Sequence, residues 1–147
     1  MAPTIERAAP HDLATVLGLL KQYGLPLDGA RALSQTMVVA RDVERVVGAA
    51  ALELYADGAL LRSVVVDANM QGKGVGGRLT EAALTLANEL GISTVFLLTT
   101  TAADYFPRFG FERITREQVP ASVHASVEFQ SACPASAVVM RRVSRPS

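Results

Sequence analysis

Val64-Val65-Val66-Asp67-Ala68-Asn69-Met70-Gln71-Gly72-Lys73-Gly74-Val75-Gly76-Gly77 begins as one kind of structure and ends as another. The run leading into it, Leu60 to Val66, is nearly all apolar, as in a central strand covered on both faces. From Gly74 the period changes. Val75, Leu79, Ala82, Ala83, Leu86 and Leu90 share one face of a helix predicted over 74–90, with Gly91 as its C-terminal cap. Between strand and helix lie Gly72, Gly74, Gly76 and Gly77. Glycine lets backbone N–H groups approach an anion with no Cβ in the way. The first amides of a helix lack internal acceptors and carry partial positive charge. Together they suit a diphosphate, with Gln71 and Lys73 adding side-chain contacts. The string alone is equally compatible with a tight turn that binds nothing.

Its surroundings separate these readings. Upstream, Thr36 to Ala40 and Val46 to Tyr55 read as strands joined by a turn at 42–45, and Asp57-Gly58 is a hairpin turn into strand 60–66. Downstream, Thr94 to Thr99 is another buried strand. Strand 60–66, helix 74–90 and strand 94–99 make a right-handed parallel βαβ crossover. A Walker loop needs Gly-Lys-Ser/Thr at its end, and here Gly76-Gly77-Arg78 stands instead. A Rossmann loop opens an N-terminal βαβ unit, whereas this one follows an antiparallel meander. Elsewhere the patterns predict a strand at 4–8, a helix from Asp12 (its cap) to Tyr23 and a short helix at 27–33. Helices at 102–108 and 117–126 and a last strand at 137–141 complete the set. The expected fold is α+β: one domain over 1–147, with a mixed sheet flanked by helices.

Composition narrows the function classes. Half of the 147 residues are hydrophobic, enough for a sizeable core. Fourteen Lys+Arg balance fourteen Asp+Glu, so no global field attracts nucleic acid or an anionic membrane. Cys133 is the single cysteine, which excludes an intrachain disulfide, and His11 and His124 make a poor metal set. No run approaches the roughly 20 apolar residues of a membrane span. A soluble cytoplasmic protein without a metal is the expectation.

The segment Val64 to Gly76 closely resembles the central motif of the GNAT superfamily of N-acetyltransferases. The strand order matches that family, as does Phe109-Gly110-Phe111, and the likeness spans about residues 4 to 143. More narrowly, Leu60-Leu61-Arg62-Ser63, Leu97-Leu98-Thr99-Thr100-Thr101-Ala102, Val119-Pro120 and Cys133-Pro134-Ala135-Ser136-Ala137 resemble the arsenic-resistance-associated subgroup. The resemblance implies acetyl-coenzyme A as co-substrate and direct attack by an amine within a ternary complex. It places the pyrophosphate on Gln71, Gly72, Lys73, Gly74, Val75, Gly76 and Gly77. The pantetheine arm lies along Val64, Val65 and Val66, between the two parallel strands, near Thr99, Ala102 and Phe106.

The other end of that arm is less familiar. The family often protonates the leaving thiolate with a tyrosine four residues before the glycine of Gly-Phe; Phe106 stands there. Tyr105 is the neighbouring candidate, about 100° away on a helix. Thr99 replaces the usual asparagine. Glu53, the only acidic residue inside the meander strands, is the candidate base; the alternatives are a solvated carboxylate or a partner for Arg62. Arg62 breaks an apolar strand and reads either as a fork for a substrate oxyanion or as half of an ion pair with Glu53. Ser63 lines the same place or simply packs. Cys133 reads as a small buried residue, and His124 as a packing or surface histidine. The acceptors open at this point are a small primary amine, such as an amino acid or an arsenic-bearing analogue, and a protein Lys or N-terminus. A non-catalytic acyl-coenzyme A sensor is the third reading. A homodimer through exposed strand edges is an expectation.

Overall fold

Four antiparallel strands lead the chain into its crossover. They are β1 (Thr4–Arg7), β2 (Met37–Asp42), β3 (Arg45–Tyr55) and β4 (Gly58–Val66). Strand β5 (Thr94–Thr99) runs parallel to β4, β7 (Val138–Val143) returns antiparallel to β5, and β6 (Glu112–Ile114) pairs outside β7. The resulting seven-stranded mixed sheet has the order β1-β2-β3-β4-β5-β7-β6. This computed structural model describes residues 3–126, 129 and 136–144. Cys133, Pro134 and Ala135 lie outside the described residues.

Alternation along the strands divides the core between the two faces. Ala50 and Leu52 of β3 and Leu61 of β4 meet α2 (Val75–Glu89) through Leu79, Ala83 and Leu86. Ala49 and Ala51 face the other way, toward Val16 and Leu20 of α1 (Leu13–Gln22). Leu60 and Phe96 continue that second face onto Val123 of the short helix α3 (Ala121–His124). Gly48 is a point of close approach between α2 and the sheet. A Cβ there would stand 2.9 Å from both Leu79 Cδ1 and the Val65 carbonyl oxygen, so the contact requires glycine. Leu79 is fully buried, and truncating it to alanine is expected to cost about 2–5 kcal/mol. No helix among the described residues is long and apolar enough to cross a membrane.

Four expectations need correction. Asp12 does not cap α1 with its side chain; its carboxylate accepts the Ala9 N–H at 2.8 Å and pairs with Arg41. The helix expected at 27–33 is a 3₁₀ segment, Ala30–Thr36. The helix expected at 102–108 is turns followed by a 3₁₀ segment, Phe106–Phe109. Pro107 cannot donate the bond that an α-helix from Ala102 would need. The helix at 117–126 is split into a 3₁₀ segment, Arg116–Gln118, and α3. Pro120 forces Val119 into extended backbone between them. Strand β6, three residues long, was too short to announce itself by alternation.

Candidate active site

Strands β4 and β5 pair at Ala59↔Val95 and Leu60↔Phe96, and no further. The cause lies on the other side of β4. Its register against β3 runs Ala49↔Val65 and then Ala51↔Arg62, so Ser63 and Val64 together oppose Ala50. This is a β-bulge, and it bends β4 away from β5. Ser63 carries the turn with a φ of 58°, in the left-handed region that non-glycine residues seldom adopt. The divergence opens a cavity of about 660 Å³. Its walls are β4 from Leu61 to Val64 and Val66, the end of β5 through Thr99 to Ala102, and the loop Gly24-Leu25-Pro26.

The glycine loop adjoins the cavity through Gln71, which lines it, while Gly72 to Gly77 do not. Gly72 and Gly74 have φ of 79° and 78°, and a Cβ on either would enter open space. The first bond of α2 runs from Arg78 N–H to Gly74 O at 3.1 Å. The N–H groups of Val75, Gly76 and Gly77 therefore precede the helix's own acceptors. The Val75 side chain is buried in the core, so it can offer a ligand only its amide. Gln71 lines the cavity and donates Nε2 to the Val66 carbonyl at 3.0 Å, holding the loop to the end of β4. Lys73 is exposed. An open, left-handed loop feeding unpaired helix amides fits a diphosphate.

Tyr105 stands over this loop. Its hydroxyl is 3.4 Å and 3.7 Å from where Cβ atoms on Gly77 and Gly76 would be, and Arg108 stacks on its ring at 4.4 Å. Phe106 is buried against the cavity. Thr99 closes the turn after β5 by accepting the Ala102 N–H at 2.9 Å. Val64 and Val66 line the cavity, whereas the Val65 side chain packs on the α1 face.

The Glu53–Arg62 ion pair, one of the readings left open by the sequence, is present. Arg62 Nη1 lies 3.1 Å from Glu53 Oε2, and Nη2 donates to the Pro26 carbonyl at 3.2 Å. Glu53 Oε1 accepts from Tyr55 OH at 3.1 Å and from Ser126 Oγ at 2.5 Å. Burial, with the Glu53 carboxylate adding to it, pushes the Tyr55 phenol above its ordinary value. Arg62 lines the cavity and Glu53 does not. Ser63 is 8% exposed, lines the cavity, and its Oγ has no hydrogen-bond partner. Sequence reasoning missed Tyr55, Ser126 and Pro26. Only Tyr55 left a signal, two residues from Glu53 on the same face of β3.

Comparison with known proteins points one way. A family model described as acetyltransferase (GNAT) domain matches residues 33–113. The amino-acid acetyltransferase of Mycobacterium tuberculosis is 29% identical over 135 residues, covering 82% of this chain and 75% of that protein. A Mycobacterium tuberculosis protein solved in complex with coenzyme A superposes with a TM-score of 0.81 at 27% identity, over 96% of this chain and 99% of the other. N-acetylglutamate synthase from Neisseria gonorrhoeae, complexed with coenzyme A and N-acetyl-glutamate, shares the fold. Its TM-score is 0.83 at 21% identity, over 97% of this chain and 35% of that one.

Proposed function

Because this chain belongs to the acetyltransferase (GNAT) family, we propose that it acetylates the primary amine of a small molecule that also carries a carboxylate, an amino acid being the simplest case. The chain is a coenzyme A-dependent acyltransferase. Arg62 carries the proposed acceptor class. Arg62 belongs to the cavity wall, and its guanidinium, buried behind that wall, holds a fixed positive charge with directional donors that suit a carboxylate. Among the described residues no acidic side chain lines that cavity. A polyamine or a lysine-rich peptide would bring positive charge against Arg62 with no carboxylate on the wall to receive it, whereas an amino acid brings its own. The Mycobacterium tuberculosis relative named amino-acid acetyltransferase supports the same class. An arsenic-bearing amino-acid analogue presents the same pair of groups and belongs to it too.

Bound acetyl-coenzyme A supplies an activated thioester. The rest is the work of this chain. The amides of Val75, Gly76 and Gly77 receive the pyrophosphate, and Gln71 holds that loop in place. The edge of β4 beyond Leu60, left without β5, offers its backbone to the pantetheine arm. Arg62 anchors the acceptor and so brings its amine to the thioester, which removes much of the entropic barrier. We assign Glu53 to holding Arg62, since its carboxylate is engaged by Arg62, Tyr55 and Ser126 behind the wall. The acceptor's ammonium first gives a proton to water. The neutral nitrogen then forms the amide bond as the thioester's carbon–sulfur bond breaks, and the proton it sheds balances the one that the released thiolate takes up from water.

An acceptor screen tests this reading. Amino acids, arsenic-bearing analogues, matched decarboxylated amines, polyamines and lysine peptides are incubated with acetyl-coenzyme A, with thiol release and product mass as readouts. Amino acids should exceed their decarboxylated partners by about 10-fold or more in kcat/KM, as expected for a charge-assisted contact. Equal turnover of decarboxylated amines or peptides would refute the acceptor class.

A further inference from the structure

We propose that Ser63 is a specificity-determining residue whose hydroxyl donates the second hydrogen bond to the acceptor's carboxylate, beside Arg62. The inference rests on the amino-acid reading above and adds a residue to it.

The geometry of Arg62 creates the need. A carboxylate has two oxygens and accepts several hydrogen bonds. Nη1 of Arg62 is turned to Glu53 at 3.1 Å and Nη2 to the Pro26 carbonyl at 3.2 Å. These two bonds use one N–H on each Nη, so a ligand meets a guanidinium with only part of its donor fork available. A carboxylate accepts more bonds than that remainder supplies, so a further donor close by adds to it.

Ser63 is that donor. It follows Arg62 in the chain, at the bulge where β4 leaves β5. The residue lines the same cavity as Arg62, at 8% exposure. Its Oγ is buried and has no partner. A buried hydroxyl without a partner is unfavourable, and alanine at the same place would avoid that penalty. Serine also holds a φ of 58° here, a conformation glycine takes without strain. Both features oppose stability, and neither serves any contact that the fold makes internally. A hydroxyl kept dry and unbonded on a cavity wall is preorganised for a ligand, because no internal bond has to break when the ligand arrives.

Ser63→Ala and Ser63→Gly test the assignment together. Both remove the hydroxyl; alanine keeps the strained φ and glycine relaxes it. Each variant is assayed with an amino acid and its decarboxylated amine, and the readout is the ratio of the two kcat/KM values. Both variants should lower that ratio by about 10- to 100-fold, the range for a hydrogen bond to a charged group. Thermal unfolding should give a Tm at or above that of the parent for both. If amino acid and amine lose activity in equal proportion, Ser63 acts on the acetyl side and the inference is overturned. An unchanged ratio with a lowered Tm in both variants overturns it too, by giving the hydroxyl a packing role. A parent ratio near one would instead defeat the acceptor class itself, so the two failures are distinct.

Discussion

Glu53→Gln is the most informative single perturbation. It keeps the shape of the side chain and an oxygen for Tyr55 and Ser126, yet it removes the charge facing Arg62. The Arg62 side chain has no exposed surface, so solvent cannot take over from the lost carboxylate. Breaking a buried pair by neutralising one partner costs about 3–5 kcal/mol. In a domain of 147 residues each kcal/mol moves Tm by roughly 2–4 °C, which gives a fall of about 6–20 °C. Urea unfolding should show a lower midpoint with an unchanged m-value. Combining the change with Arg62→Met removes both buried charges and should recover most of the loss, which a double-mutant cycle measures. Kinetics supplies the second readout. If Glu53 holds Arg62, the amino-acid KM rises in the variant and stays raised as pH increases. If Glu53 were the base, kcat would climb back with pH as the amine deprotonates unaided. Stability within about 0.5 kcal/mol of the parent would refute the buried-pair reasoning; kinetic recovery at high pH would return Glu53 to the role of base.

Three further outcomes are expected. Gly74→Asp places a carboxylate in open space at the start of α2, and should weaken coenzyme A binding at least about 10-fold in a folded protein; unchanged affinity by calorimetry would remove the loop as the pyrophosphate site. Tyr105→Phe should raise the acetyl-coenzyme A KM more than it lowers kcat, because the hydroxyl stands over Gly76 and Gly77; a large loss in kcat alone would make Tyr105 the thiolate's proton donor. Asp12 is held below the ordinary carboxylate range chiefly by its hydrogen bonds from Arg41, at 2.8 and 3.2 Å, against the opposing effect of burial. A depressed folded pKa means that its stabilisation is present above the unfolded value, about 3.9, and is lost as pH falls through the folded value. Asp12→Asn should therefore cost about 2 kcal/mol at neutral pH and flatten the stability curve below about pH 4, and an acid limb of unchanged slope would contradict that.

How much of this was legible in the sequence follows from how far apart the determining residues stand. The crossover and its glycine loop were readable because they are encoded in contiguous residues: an apolar run, four glycines and a helical period from Val75 to Leu90. Positive φ at Gly72, Gly74 and Gly91 needed no tertiary contact to be anticipated. The proline-broken segments at Pro107 and Pro120 were overextended, since apolar spacing was given more weight than the missing N–H. The catalytic end depends on partners brought together by the fold. Ser126 reaches Glu53 across 73 residues, and Pro26 meets Arg62 across 36. The left-handed backbone of Ser63 is imposed by the register of β3 against β4, where a serine gives no local sign of it. The sequence by itself determined the strand–loop–helix unit and, through the family resemblance of that segment, implied the cofactor. Tertiary structure decided where β4 leaves β5, that Glu53 is engaged by Arg62, Tyr55 and Ser126, and that a strained serine lines the cavity. The division is physical: periodicity and glycine act over a few bonds, whereas register, burial and ion pairing exist only once distant strands have met.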